Sequence, residues 1–208
     1  MQLDSVLPTS AVKNKTRPQV IWICLLAALA GLLFGLDIGV ISGALPLIAK
    51  EYHLLDSQQE WIVSSMMVGA AVATLCSGFL AYRLGRKYSL LIAAASFCLG
   101  AIICTCAVSP EMLIVGRLIL GVGLGVASYA TPLYLSEITP KNIRGAMISA
   151  YQLMIALGIL LVFLTNTAFS YSGNWRGMLL VVAIPSLVFL FGALFLPRSP
   201  RSPATPSQ

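Results

Sequence analysis

Apolar residues fill this chain in long, almost unbroken runs. Six stretches, Val20–Ile48, Trp61–Tyr82, Tyr88–Val108, Met112–Leu135, Ala146–Phe169 and Gly177–Leu196, hold few charges and show no polar face at helical spacing. Six buried helices of a water-soluble core would each need such a face. Crossing roughly 30 Å of hydrocarbon takes about 20 apolar residues. The pattern therefore predicts an all-α membrane protein with six transmembrane helices. The expected organisation is a tail over 1–19, a six-helix bundle over 20–196, and a second tail over 197–208 whose Ser and Pro content predicts disorder. The first stretch is too long for a cleaved leader, contains Asp37 and lacks a small-x-small cleavage site, so it reads as a membrane helix.

The runs also repeat. Sliding the chain against itself by 86 residues places Gly35–Ile48 on Gly121–Tyr134, with identities at Gly35/Gly121, Gly39/Gly125, Val40/Val126, Ser42/Ser128, Ala44/Ala130, Pro46/Pro132 and Leu47/Leu133. Helix 1 is thereby matched to helix 4, which crosses in the opposite direction. That is the pattern of a three-plus-three inverted repeat within a six-helix unit. The shared Gly-x-x-x-Gly spacings allow close backbone approach between helices, and the shared prolines predict a kink or a helix end.

Charge orients the bundle. With the N-terminus inside, the cytoplasmic segments hold Lys13, Lys15, Arg17, Arg83, Arg86, Lys87, Lys141, Arg144, Arg198 and Arg201, and the external loops hold only Lys50 and Arg176. This bias predicts cytoplasmic termini. It also explains the net charge of +6 through anionic lipid headgroups, without nucleic acid. Cys24, Cys76, Cys98, Cys104 and Cys106 lie in apolar surroundings with no metal-ligand spacing and read as helix-packing residues. The only histidine, His53, falls in a predicted loop.

Two ionisable residues, Asp37 and Arg117, lie well inside apolar runs. A charge at a helix centre costs at least about 2.5 kcal/mol, so each calls for a partner or a function. Asp37 is expected roughly 15 Å below the outer end of helix 1, and Arg117 roughly 10 Å below the outer end of helix 4. Both depths fall in the outer half of the bundle. A carboxylate that gains a proton loses its attraction to an arginine that stays charged, which would make the pair a proton switch. The other reading is a static buried ion pair that fixes packing. On the inner face, the basic turn around Arg83, Arg86 and Lys87, with Glu137 ending helix 4 and Arg144 preceding helix 5, reads either as a topology anchor or as a charge latch between helix ends. Gln152, early in helix 5, suits an interhelical hydrogen bond or a contact to a hydroxyl-rich solute.

At these residues the chain resembles the sugar porters of the major facilitator superfamily, in particular bacterial arabinose–proton and galactose–proton symporters. The resemblance runs from Leu32 to about Arg201. It rests on Leu33-Phe34-Gly35-Leu36-Asp37-Ile38-Gly39-Val40, Arg83-Leu84-Gly85-Arg86-Lys87, Gly116-Arg117, Pro132-Leu133-Tyr134-Leu135-Ser136-Glu137, Arg144-Gly145, Tyr151-Gln152-Leu153 and Asn174-Trp175-Arg176. It implies that Asp37 binds the coupled proton with Arg117 as its partner, and that Phe34 and Gln152 line the sugar site. It implies further that Arg83, Arg86, Glu137 and Arg144 form a cytoplasmic gate network. Tyr82 stands where the superfamily loop usually carries an acidic residue, which weakens the latch at that point.

The same resemblance implies a second six-helix half beyond the Pro197-Arg198-Ser199-Pro200-Arg201 signature, and Ser202–Gln208 does not resemble its beginning. The expected function is the N-terminal half of a symporter for L-arabinose or D-galactose in the inner membrane. Its partners would be a monosaccharide, a proton, the lipid bilayer and a second six-helix half, and it would be inactive alone. The alternative is a half-size transporter that works as a homodimer or with a separately encoded half. The face meant for the second bundle would then expose its charges and Gln152 to lipid, at a cost. An enzyme is excluded by the lack of a base near any membrane serine, and no cofactor or metal is expected. A channel would need recurring rings of polar residues, which do not occur.

Overall fold

The structure, a computed structural model, describes residues 18–139, 141 and 143–195. Within them, α1 spans Pro18–Tyr52, α2 Asp56–Arg83, α3 Arg86–Thr105, α4 Pro110–Ile138, α5 Arg144–Ser170 and α6 Trp175–Leu194. All six are long and apolar enough to cross a membrane. In hydrocarbon no water can satisfy a peptide group, so each crossing segment closes its hydrogen bonds within itself as a helix. Of the expected N-terminal tail over 1–19, Pro18 and Gln19 already belong to α1; the rest of it, the C-terminal tail and the signature around Pro197 lie outside the described residues.

The helices depart from the predicted runs mainly at their ends. α3 stops at Thr105 instead of reaching Val108, because Ser109 begins the next helix. Its hydroxyl accepts the Met112 N–H at 3.3 Å and Pro110 takes the first helical position, where no N–H is needed. Asn174 caps α6 in the same way, accepting from the Gly177 N–H at 3.0 Å. Neither Pro46 nor Pro132 ends its helix, since α1 runs on to Tyr52 and α4 to Ile138. Between α2 and α3 the reversal takes a single sharp step at Gly85, whose φ of 84° lies in the left-handed region that glycine alone enters freely.

Packing follows the internal repeat. α1 packs chiefly on α5 and α6, and α4 packs chiefly on α2 and α3, so exchanging the first three helices with the last three maps one arrangement onto the other. At the α1–α5 crossing a Cβ on Gly35 would collide with the Ile155 carbonyl oxygen and sit 3.0 Å from the Cα of Gly158. At the α4–α2 crossing a Cβ on Gly121 would collide with the Met66 carbonyl oxygen, with Gly69 facing it. One turn further on, Gly39 faces Val162 and Gly125 faces Ala73. The carbonyls of Gly39 and Gly125 each accept a side-chain hydrogen bond from the neighbouring helix, from Asn166 Nδ2 at 3.1 Å and Thr74 Oγ1 at 3.3 Å. The glycine matches read from the sequence are thus the contact points of two equivalent helix crossings.

α1 and α4 form the inside of the bundle. α2 and α5 lie outside it and turn long apolar faces outward, including Leu75 and Phe79 on one and Leu153, Leu160 and Leu164 on the other. The expectation that charges would lie on this face is corrected here. Asp37 and Arg117 are 0% and 2% exposed, enclosed among α1 to α4, and of the polar residues singled out inside the membrane only Gln152 faces outward.

Candidate functional site

α1 and α4 carry Asp37 and Arg117 into the interior because Val40 and Ala44 of α1, and Leu120 and Leu124 of α4, belong to the buried core on the same helices. The two charged groups lie near enough to act on each other electrostatically, and the Cys104 thiol on α3 lies within reach of both. They do not touch. Both carboxylate oxygens of Asp37 are buried without a hydrogen-bond partner among the described residues. The Arg117 guanidinium instead donates from Nη2 to the Met66 thioether sulfur at 3.2 Å, leaving Nε and Nη1 buried and unpartnered. A thioether is a weak acceptor. Leaving charged groups this poorly satisfied in a low-dielectric interior is costly.

Phe34 stands one helical turn before Asp37, half-buried against the core. Gln152 is exposed on the outer face of α5, while its neighbour Tyr151 is buried, with its ring and carbonyl against Gly31 of α1. No hydrogen bond or ring contact joins Phe34 and Gln152 among the described residues. Phe34 therefore borders the charged interior, and Gln152 is offered to whatever meets α5 from outside.

Of the four residues expected in an inner-face network, the structure joins two. Arg86 donates from Nη2 and Nε to Glu137 Oε1 at 2.9 and 3.2 Å, and from Nη1 to the Ala81 carbonyl at 3.1 Å. One guanidinium thus ties the end of α2 to the end of α4. Arg83 lies over its own helix's Phe79, 5.1 Å from the ring centre, on the exposed surface. Arg144 is half-buried with its Nε unpartnered, and Glu137 Oε2 is likewise free of a partner. Glu137→Ala should therefore cost about 2 kcal/mol, since it strands a partly buried guanidinium. Arg83→Ala should cost less than about 1 kcal/mol, the usual worth of a surface cation–π contact. Thermal unfolding of the two purified variants compares them directly.

At the opposite end, sequence reasoning missed a second junction. The Trp175 indole N–H donates to Glu51 Oε2, and Arg176 donates to Glu51 Oε1, the Tyr52 hydroxyl and the Ala107 carbonyl at 3.4, 3.4 and 3.2 Å. The Arg176 guanidinium also lies 4.1 Å from the Trp175 ring centre. Together these bind the end of α1, the end of α3 and the start of α6. Arg176 entered the sequence reading as a loop charge and within Asn174-Trp175-Arg176, and spacing alone gives no sign that it meets Glu51.

Comparison with known proteins agrees with this architecture. The family model described as "Sugar (and other) transporter" matches residues 23–205. The arabinose-proton symporter of Escherichia coli strain K12 is 56% identical over 198 residues, 95% of this chain and 42% of that protein. The galactose-proton symporter of the same strain is 57% identical over 188 residues, 90% of this chain and 40% of that protein. This chain thus spans less than half the length of either relative. Among solved structures, the E. coli xylose transporter in a partially occluded inward-open conformation superposes with a TM-score of 0.79 at 30% identity, over 88% of this chain and 51% of that one. Each of these proteins is a transporter and none is an enzyme. With six membrane-crossing helices and a family match over nearly all of the described bundle, the chain belongs to the sugar transporter family of the major facilitator superfamily.

Proposed function

We propose that this segment supplies the N-terminal six-helix half of a sugar–proton symporter of the arabinose or galactose type, working by alternating access against a second six-helix unit. The observation that carries the reading is the buried, unjoined pair of Asp37 and Arg117. A static structural ion pair would gain nothing from being held apart in hydrocarbon, whereas a switch must visit such a state. Protonation of Asp37 removes its negative charge, and its loss restores the pull on Arg117, so one proton can bias two arrangements of α1 and α4. Phe34 and Gln152 then contribute to the sugar site, Gln152 from the face that meets the second unit. The joined Arg86 and Glu137, with Arg83 and Arg144 nearby in sequence, act as the inner gate. The long apolar faces of α2 and α5 fit a unit that packs against them.

The test is accumulation of labelled L-arabinose and D-galactose in cells lacking their own carriers. A chimera in which this chain replaces the matching N-terminal part of the E. coli arabinose-proton symporter is expected to accumulate at least one of the two sugars. The chain expressed alone is expected to stay at background. Accumulation by the chain alone would instead support two copies pairing to form the carrier.

We infer from the charge bias that both termini face the cytoplasm of a cell whose plasma membrane holds the protein. The expected consequence is that a membrane-impermeant maleimide labels Cys106 in intact cells. Cys106 is exposed at the end of α3 on the proposed outer side, whereas Cys98 and Cys104 are buried. Labelling of Cys106 only after permeabilisation would invert the orientation.

A further inference from the structure

Among the described residues, the Arg117 guanidinium has one hydrogen-bond acceptor, the Met66 thioether sulfur 3.2 Å from Nη2. The backbone fixes this meeting. Met66 lies on α2 at a close crossing with α4, where its carbonyl oxygen fills the space that a Gly121 Cβ would need. The Leu118 carbonyl oxygen does the same to Gly69 from the other side. Gly121 stands one helical turn beyond Arg117, so two glycine contacts hold thioether and guanidinium opposite each other. Both side chains are buried. A leucine would fill nearly the same volume as Met66, so what the methionine adds here is an acceptor.

An arginine that moves between two positions in a dry interior needs an acceptor in each. Asp37, with both oxygens unpartnered and within electrostatic reach, is the acceptor for one. A second carboxylate or an imidazole at the other position would compete for the proton. A thioether is a weak acceptor that takes up no proton, so it can receive the guanidinium without outweighing the carboxylate. Among the described residues, Cys104 on α3 is the further titratable group in reach of the pair, and α2 carries no charged side chain between Glu60 and Arg83.

We propose that Met66 is a positioning residue that holds Arg117 away from Asp37 while the carboxylate takes up its proton. This rests on the reading of Asp37 and Arg117 as the proton switch, and concerns what keeps its two arrangements close in energy.

Two measurements test it. In the purified chain with isotope-labelled methionine methyl groups, the Met66 resonance is the one that Met66→Leu removes. It should move with pH as the guanidinium leaves the thioether for the ionised carboxylate, and in Asp37→Asn it should stay at its acid-end position throughout. In the arabinose-symporter chimera, Met66→Leu should raise the external proton concentration for half-maximal arabinose uptake about fivefold, equivalent to roughly 1 kcal/mol, the usual worth of one hydrogen bond. Met66→Gln, which keeps an acceptor, should leave that concentration unchanged or lower it. A packing role alone predicts the reverse ranking, with leucine tolerated, glutamine reducing the amount of folded carrier, and no change in proton dependence. A Met66 resonance that ignores pH overturns the proposal, and movement that persists in Asp37→Asn does so too, because it reports Cys104. An unshifted proton dependence in Met66→Leu, in a chimera that Asp37→Asn does uncouple, overturns the proposal and leaves the switch standing. If the chimera carries no sugar, the transport reading fails and the Met66 resonance alone decides.

Discussion

Asp37→Asn in the arabinose-symporter chimera is expected to reduce sugar accumulation to simple equilibration while leaving sugar exchange across the membrane intact. The asparagine side chain has nearly the shape of the carboxylic acid, so packing beside Arg117 and Phe34 is kept. It cannot lose a proton, so the state in which a carboxylate draws on Arg117 disappears. One charge moved through 100 mV is worth about 2.3 kcal/mol, which corresponds to a concentration ratio of roughly 50. That ratio is what the substitution removes. Arg117→Gln should also abolish accumulation, because the amide no longer offers the carboxylate a permanent opposite charge. Inside-to-outside ratios of labelled arabinose in energised cells, beside exchange rates in de-energised cells, separate loss of coupling from loss of folding.

Gly35→Val should unfold or loosen the bundle, at a cost of about 3 kcal/mol, the upper end of the usual range for overpacking. The added Cβ meets the Ile155 carbonyl oxygen, and backbone cannot rotate out of the way as a side chain can. Relief requires α1 and α5 to separate along the crossing that also holds Gly39 against Val162 and the Asn166 hydrogen bond. Gly121→Val should cost a similar amount at the equivalent α4–α2 crossing, because the Met66 carbonyl stands where Ile155 stands in the other. Gly145→Ala is the control, since a Cβ there meets nothing within 4 Å. The expected readout is a fall in the thermal midpoint of the purified chain of roughly 10 °C for either valine variant and none for the alanine variant.

The six helices were legible because a membrane leaves the backbone little choice. A run of about 20 apolar residues becomes a helix of predictable length, and only the caps at Ser109, Asn174 and Gly85 shift its ends. Asp37 and Arg117 were legible for the same reason, as charges in hydrocarbon stand out against their neighbours. What they face was not. Which side chain meets Arg117 depends on how α2 and α3 are rotated about their own axes, and runs with no polar face carry little record of that rotation. Met66 and Cys104 looked like any other apolar residues. The basic turn shows the limit again, because Arg83 and Arg86 read alike in sequence. The turn at Gly85 sends Arg86 toward Glu137 and leaves Arg83 on Phe79. The junction of Glu51, Trp175 and Arg176 joins residues far apart in the chain, and only the closed bundle brings them together.

The coupling role proposed for Asp37 is tested most directly by proton movement itself. Adding arabinose to de-energised, weakly buffered cells that carry the chimera should make the medium more alkaline as sugar and proton enter together, and the Asp37→Asn chimera should give no such change while still exchanging sugar. Alkalinisation that persists undiminished in Asp37→Asn, or accumulation by the unaltered chimera with no alkalinisation at all, would contradict the assignment.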